Sequence, residues 1–170
     1  MDIIFSQSEI ESRVSEIAAR ISRDFKGKDV VLVAVLRGSF VFVSDLIRKL
    51  DFDFSVDFIS LKSYSGTISE GKVKEISGLQ EEISGKDVII VEDIVDTGAT
   101  LEFLFKEFAL KNPKSLCACV LLDKKCARIK NVPVKYSCFE AGNDFVIGYG
   151  LDYNGLYRGL PYIAKMPQGR

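Results

Sequence analysis

Histidine and tryptophan are absent from this 170-residue chain, and methionine (two) and proline (four) are scarce. Without histidine, a Ser-His-Asp triad and a His-ligated metal centre are both excluded. Neither sign of charge dominates: 23 Lys and Arg face 24 Asp and Glu, for a formal net charge of -1. With a pI near 5.6, no global basic field exists to attract nucleic acid, so no nucleic-acid partner is expected. Long hydrophobic runs are also missing. Val30–Leu36 and Leu116–Leu122 span seven residues each, whereas a membrane-spanning helix needs about 20. The opening Met1-Asp2 lacks the basic-then-apolar order of a signal peptide. A cytoplasmic location with reduced thiols is therefore the expectation. The four cysteines, Cys117, Cys119, Cys126 and Cys138, contain no Cys-x2-Cys pair, which argues against zinc.

What remains is ordinary for a soluble domain. Hydrophobic residues make up 47% and charged residues 28%, a balance that excludes disorder, collagen and coiled coil. The length suits one domain with a substantial core.

Patterning predicts alternating helices and strands. Ile10, Val14, Ile17 and Ile21 recur at helical spacing, with Ser6 and Glu9 placed as a capping box and Gly27 as the stop. Val30–Leu36 and Asp87–Glu92 read as strands buried on both faces, and Ser115–Leu122 reads as another strand. Helices are predicted over Phe40–Leu50 and Leu101–Lys111, the latter with Leu101, Leu104, Phe105 and Phe108 inward. In Asp51–Leu61, Phe52, Phe54, Val56 and Phe58 alternate with polar residues, which predicts a strand with one exposed face near a sheet edge. Lys62–Lys86 holds five Ser, four Gly, four Lys and four Glu. It reads as a long binding loop or lid, or a plain surface loop, in which Val73 and Ile76 could form a short strand. Val134–Phe139 and Phe145–Tyr149 read as short strands before a loop-rich tail. This alternation argues for an α/β fold with a mainly parallel central sheet. Ligands in such sheets bind beyond the carboxyl ends of the strands. Arg37-Gly38-Ser39, Glu92–Thr100, Asp123-Lys124-Lys125, and Asp152 with Arg158 each follow a predicted strand.

The segment VIIVEDIVDTGAT, Val88 to Thr100, carries the most chemistry. Thr97-Gly98-Ala99-Thr100 at a helix start offers backbone N–H groups, hydroxyls and the positive end of the helix dipole to an anion. Glu92, Asp93 and Asp96 stand just upstream and would repel a bare phosphate. They make sense if sugar hydroxyls donate to them, or if Mg²⁺ lies between. A phosphorylated ribose meets both demands. Asp96 could alternatively be a helix cap. The dinucleotide fingerprint and the P-loop are both absent.

VIIVEDIVDTGATL resembles the phosphoribosyl-pyrophosphate signature of the type I phosphoribosyltransferases. VAVLRGSFVFVSDL, LKSYSGT, LLDKK and DFVIGYGLDYNGLYRGLPYI are similar, in order, to four segments of the hypoxanthine-guanine branch: the pyrophosphate loop, the start of the flexible loop and the two purine-binding segments. The resemblance covers most of residues 30 to 163. It implies a single domain over residues 1–170, with a flexible lid and a small C-terminal hood built mainly from about residue 134 onward. It also implies purine salvage: transfer of a phosphoribosyl group to N9 of hypoxanthine or guanine, with release of pyrophosphate.

Carried over by position, the resemblance implies that Glu92 and Asp93 hold the ribose hydroxyls and Asp96 is the general base. Thr97, Gly98, Ala99 and Thr100 would bind the 5-phosphate. Arg37, Gly38 and Arg158 would bind pyrophosphate, with the Leu36–Arg37 peptide cis. Lys124 would donate to the purine 6-oxo group, Phe145 would stack on the base, and Val146 and Asp152 would meet its edge. Ser63 and Tyr64 would belong to the lid. Glu92, Asp93 and Asp152 would approach Mg²⁺, partly through water or substrate. A homodimer or homotetramer is implied as well. Taken singly, Lys124-Lys125 could be a solvated pair, Phe145 plain core and Arg37 a surface residue. Two further classes fit parts of the pattern. IIVEDIVD superficially matches the acidic strand end of a response-regulator receiver, although receivers carry that pair near the N-terminus. A non-catalytic regulator on the same fold would want a basic face.

Overall fold

The computed structural model describes the backbone of residues 1–64 and 73–166 and the side chains of residues 1–61 and 76–166. The elements run β1 (Ile3–Phe5), α1 (Gln7–Phe25), β2 (Val30–Leu36), α2 (Phe40–Ile47), β3 (Ser55–Tyr64), β4 (Val73–Ser77), β5 (Asp87–Val95), α3 (Ala99–Ala109), β6 (Ser115–Asp123), a 3-10 turn (Lys125–Ala127), β7 (Val134–Glu140), β8 (Val146–Ile147) and β9 (Ile163–Lys165).

Six strands form the main sheet in the order β4-β3-β2-β5-β6-β7. The pairs β2–β3, β2–β5, β5–β6 and β6–β7 are parallel, and the edge pair β3–β4 is antiparallel. The apolar runs explain the centre. Val30 to Val35 and Val88 to Val91 are buried throughout, as strands covered on both faces must be. One apolar cluster packs α1 and α2 against one face, and a second packs α3 against the other. In α1 the buried stripe is Ile10, Val14, Ile17 and Ile21, and the Ser6/Glu9 capping box forms at its start. Gly27, with φ of 77°, follows its C-terminus as the left-handed residue that ends a helix.

A second, three-stranded sheet has the order β1-β9-β8. Val134–Glu140 pairs with β6 in the main sheet, and the N-terminal strand β1 joins β9 instead.

Several expectations change. α2 ends at Ile47 rather than Leu50. Phe145–Tyr149 reduces to the two-residue β8. β5 continues through Asp93 to Val95, because Ile94 and Val95 keep pairing with Leu122 and Asp123. Within α3, Leu101, Leu104 and Phe108 are buried while Phe105 is half-buried. The alternation in Asp51–Leu61 inverts locally: Phe58 is exposed and Asp57 is buried. The reason is hydrogen bonding. Asp57 accepts from the backbone N–H groups of Gln80 (2.6 Å), Glu81 (2.8 Å) and Phe58 (2.7 Å). Such contacts satisfy a carboxylate that would otherwise be costly to bury. The short strand foreseen at Val73 and Ile76 does form, as β4, with Ser60 to Tyr64 pairing antiparallel to Ser77 to Val73.

Candidate active site

The carboxyl ends of β2, β5 and β6 meet at one rim, and the loaded segments extend from them. Three pieces of backbone interlock there. The Leu36–Arg37 peptide is cis. Gly38 then lies so close to Asp93 that a Cβ on it would stand 1.6 Å from the Asp93 Oδ2. From the other side, a Cβ on Gly150 would stand 2.2 Å from the Gly38 carbonyl oxygen, and Gly150 has φ of 101°. Glycine is required at both positions, by close approach at Gly38 and by approach and backbone conformation at Gly150.

The chain just beyond this interlock is pinned by Arg158. Its Nη1 donates to the Gly150 carbonyl at 2.5 Å, and its Nη2 pairs with Asp152 at 2.6 Å. Asp152 also accepts from the Gly155 N–H at 2.7 Å. Burial pushes the Asp93 carboxyl above its usual range; the Asp152 charge pushes the same way, while the Ile94 N–H and Arg158 oppose it. Gly38, Asp93, Asp152 and Arg158 thus share one electrostatic neighbourhood. Arg37 is exposed beside it.

The turn after β5 forms a second part. Glu92 and residues 94–101 line a small cavity of about 90 Å³. Successive strand residues face opposite sides, so Glu92 lines this cavity while Asp93 meets Gly38. Gly98, with φ of 85°, is the N-cap of α3 and provides no side-chain cap. Asp96 is therefore not the cap. It is exposed at the cavity mouth, as are Thr97 and Ala99, while Thr100 is half-buried. The Ala99 N–H donates to the Thr97 hydroxyl at 3.3 Å.

Lys124 binds this turn to β6. Its N–H donates to the Val95 carbonyl at 2.9 Å, and the Ile129 and Lys130 N–H groups both donate to the Thr97 carbonyl. The two lysines of the DKK segment part company. Lys125 makes a surface ion pair with Glu140, whereas Lys124 is only 7% exposed and forms no ion pair among the described residues. Phe145 is 55% exposed rather than core, and its ring meets Tyr153 edge-on at 5.8 Å. Val146 is buried in β8. The backbone of Ser63 and Tyr64 lies at the end of β3, and their side chains lie outside the described residues.

Two structural partners escaped the sequence reading. Arg128 forms a buried ion pair with Asp123, and its aliphatic stem packs against Gly98. Gly150 closes on Gly38. The dense glycines of GYGLDYNG were the available sign of the second; nothing local marked the first.

The model of the phosphoribosyl transferase domain family matches residues 1–154. This chain belongs to the phosphoribosyltransferase family. The hypoxanthine phosphoribosyltransferase of Escherichia coli strain K12 is 44% identical over 169 residues, which cover 98% of this chain and 95% of that protein. The hypoxanthine-guanine phosphoribosyltransferase of Dictyostelium discoideum is also 44% identical, over 98% of this chain and 96% of its own. The crystal structure of a hypoxanthine-guanine phosphoribosyltransferase from Bacillus anthracis, with a HEPES molecule in its active site, superposes with a TM-score of 0.92. It is 40% identical and covers 98% of this chain and 99% of that one. The receiver reading falls with this match. No helix among the described residues is long and apolar enough to cross a membrane.

Proposed function

We propose that this phosphoribosyltransferase works in purine salvage. It transfers the 5-phosphoribosyl group of phosphoribosyl pyrophosphate to N9 of hypoxanthine or guanine. The products are IMP or GMP and pyrophosphate. The observation that carries the choice of base is Lys124, which stands at the rim directly after β6 and forms no ion pair among the described residues, suited to donate to a 6-oxo oxygen. Relatives over nearly the whole chain are named for the same reaction class.

In this reading the 5-phosphate sits on Thr97–Thr100, where the α3 N-terminus supplies N–H groups. Glu92 and Asp93 accept from the ribose hydroxyls. Arg37, the Gly38 backbone and Arg158 hold the pyrophosphate. Phe145 stacks on the purine, and Val146 and Asp152 meet its edge. The new N9–C1′ bond forms as the C1′–oxygen bond to pyrophosphate breaks, with inversion at the sugar carbon. Asp96 accepts the purine proton, near N7, and Arg158 offsets charge gathering on the leaving group. Ser63 and Tyr64 close over the site to exclude water.

The donor set suits Mg²⁺. Glu92, Asp93 and Asp152 are hard oxygen ligands, and no cluster of three such side chains pre-forms a cage among the described residues. Mg²⁺ is commonly held by one or two carboxylates together with water and substrate oxygens. When bound it neutralises pyrophosphate charge. The single-domain organisation with its hood, a cytoplasmic location and a homodimer or homotetramer belong to the same proposal. Phe40, 44% exposed at the start of α2, supports a subunit contact there.

The test is a Mg²⁺-dependent assay with phosphoribosyl pyrophosphate and, separately, hypoxanthine, guanine, xanthine and adenine, read by ultraviolet absorbance with a chelator control. Turnover of 6-oxopurines but not adenine is expected. No turnover with any base, in folded protein that still binds the sugar pyrophosphate, would point to a regulator or a different acceptor.

A further inference from the structure

Under the reading above, the base must fit between two residues that arrive on different elements. Lys124 follows β6, and Phe145 follows a turn at Gly142–Asp144 after β7. Nothing in either element alone sets their separation. Main-chain pairing carries order part of the way, through the Asp123↔Glu140 register and the Ala141 N–H donating to the Asp123 carbonyl at 3.0 Å. Beyond that point the sheet ends. Two side-chain contacts continue the seam: Lys125 Nζ to Glu140 Oε2 at 2.8 Å, and the Cys126 thiol donating to Asn143 Oδ1 at 3.1 Å. The far end of the turn is tied to β9 by the Asp144–Lys165 pair at 2.8 Å and by the Met166 N–H donating to the Phe145 carbonyl at 2.9 Å. The turn is thus held at both ends, and the Cys126 thiol, which also lies 4.0 Å from the Ala141 carbonyl oxygen, links it to the Lys124 loop through the shorter contact with Asn143.

We propose that Cys126 and Asn143 are positioning residues for the purine, clasping the Lys124 loop to the turn that presents Phe145. The proposal rests on the purine reading. Cys126 and Asn143 touch neither reacting atom, and this loop meets the Thr97 turn through the Ile129 and Lys130 N–H groups rather than through Cys126. Losing the clasp should therefore weaken the base and leave the sugar pyrophosphate untouched.

The experiment measures KM for hypoxanthine, KM for phosphoribosyl pyrophosphate, kcat and Tm in five proteins: wild type, Cys126→Ala, Asn143→Ala, the double variant and Cys126→Ser. About a fivefold rise in hypoxanthine KM is expected for each alanine variant, the size of one hydrogen bond's net contribution. The double variant should be no worse than either single, because both remove the same contact. Cys126→Ser retains a donor and should restore the wild-type value. KM for the sugar pyrophosphate, kcat and Tm should stay within twofold or about 2 °C of wild type. Hypoxanthine KM unchanged in both alanine variants would overturn the clasp. So would additive effects, or a parallel rise of both KM values with a fall in Tm. A wild-type enzyme that turns over no 6-oxopurine would instead refute the purine reading, and the clasp with it.

Discussion

Replacing Gly38 with alanine tests the interlock at the centre of the site. The added Cβ would lie 1.6 Å from Asp93 Oδ2 and 2.5 Å from its Cγ. Ordinary van der Waals contact is about 3.5 Å, so the carboxylate or the loop must give by roughly 2 Å. The carboxylate cannot simply be compressed, because its other oxygen accepts from the Ile94 N–H at 2.9 Å. Overpacking of this kind costs about 1–3 kcal/mol. In a chain of this length that is a fall in Tm of about 2–12 °C. Function should suffer more. A misplacement of 1 Å at a reacting centre can cost about 100-fold. Gly38→Ala should lower kcat/KM for phosphoribosyl pyrophosphate by at least that factor while the protein still melts cooperatively. Gly159 supplies the control: it neighbours Arg158, yet a Cβ there meets nothing within 4 Å and its φ is not positive. Gly159→Ala should stay within twofold of wild type. Steady-state kinetics and thermal melts on both variants decide the matter. Gly38→Ala with kcat/KM within threefold of wild type would refute the close packing of Asp93 on the Arg37-Gly38 loop.

Asp96→Asn should lower kcat by about 10²–10⁴ with little change in sugar-pyrophosphate affinity, checked by single-turnover rates and calorimetry; equal loss of both would remove its role as base. Lys124→Ala should raise KM for hypoxanthine at least tenfold without admitting adenine, and unchanged hypoxanthine kinetics would refute the 6-oxo assignment. Arg128→Met leaves Asp123 as a buried charge without its ionic partner, so denaturant titration should show a loss of about 3–5 kcal/mol. Adding Asp123→Asn should recover part of that loss. The thiols differ in a checkable way. Burial pushes Cys117 up to about 11 and Cys138 up to about 12, and raises Cys119 as well, whereas Cys126 is exposed. A thiol reagent at pH 8 should therefore modify one cysteine per native chain and four after unfolding. In the unfolded chain these thiols ionise near pH 8.5. The buried thiols keep their protons to higher pH, so stability is complete below about pH 8.5 and falls as pH rises toward 12. Stability that is flat across that range would contradict their burial.

Reading the sequence reached some parts of the molecule and missed others for physical reasons. The strands β2, β5 and β6 were legible because burial on both faces demands unbroken apolar runs. The α1 cap was legible because a capping box is a local contact over four residues. The Asp51–Leu61 alternation misled at Asp57, since the partners of that carboxylate lie more than twenty residues away at Gln80 and Glu81. The short strand at Val73 and Ile76 could only be raised as a possibility, because it sits in a polar stretch and edge strands need no apolar pattern.

On its own the sequence determined the sheet's apolar centre, the turn at Thr97–Thr100 that opens α3, and the order of the loaded segments along one rim. These are contiguous features, encoded by neighbours in the chain. The tertiary structure alone decided that Gly38, Asp93 and Gly150 interlock, that Lys124 is buried while Lys125 is not, and that Asp123 pairs with Arg128. Close approach and burial depend on which distant backbone comes to rest against a residue, and a single segment carries no record of that.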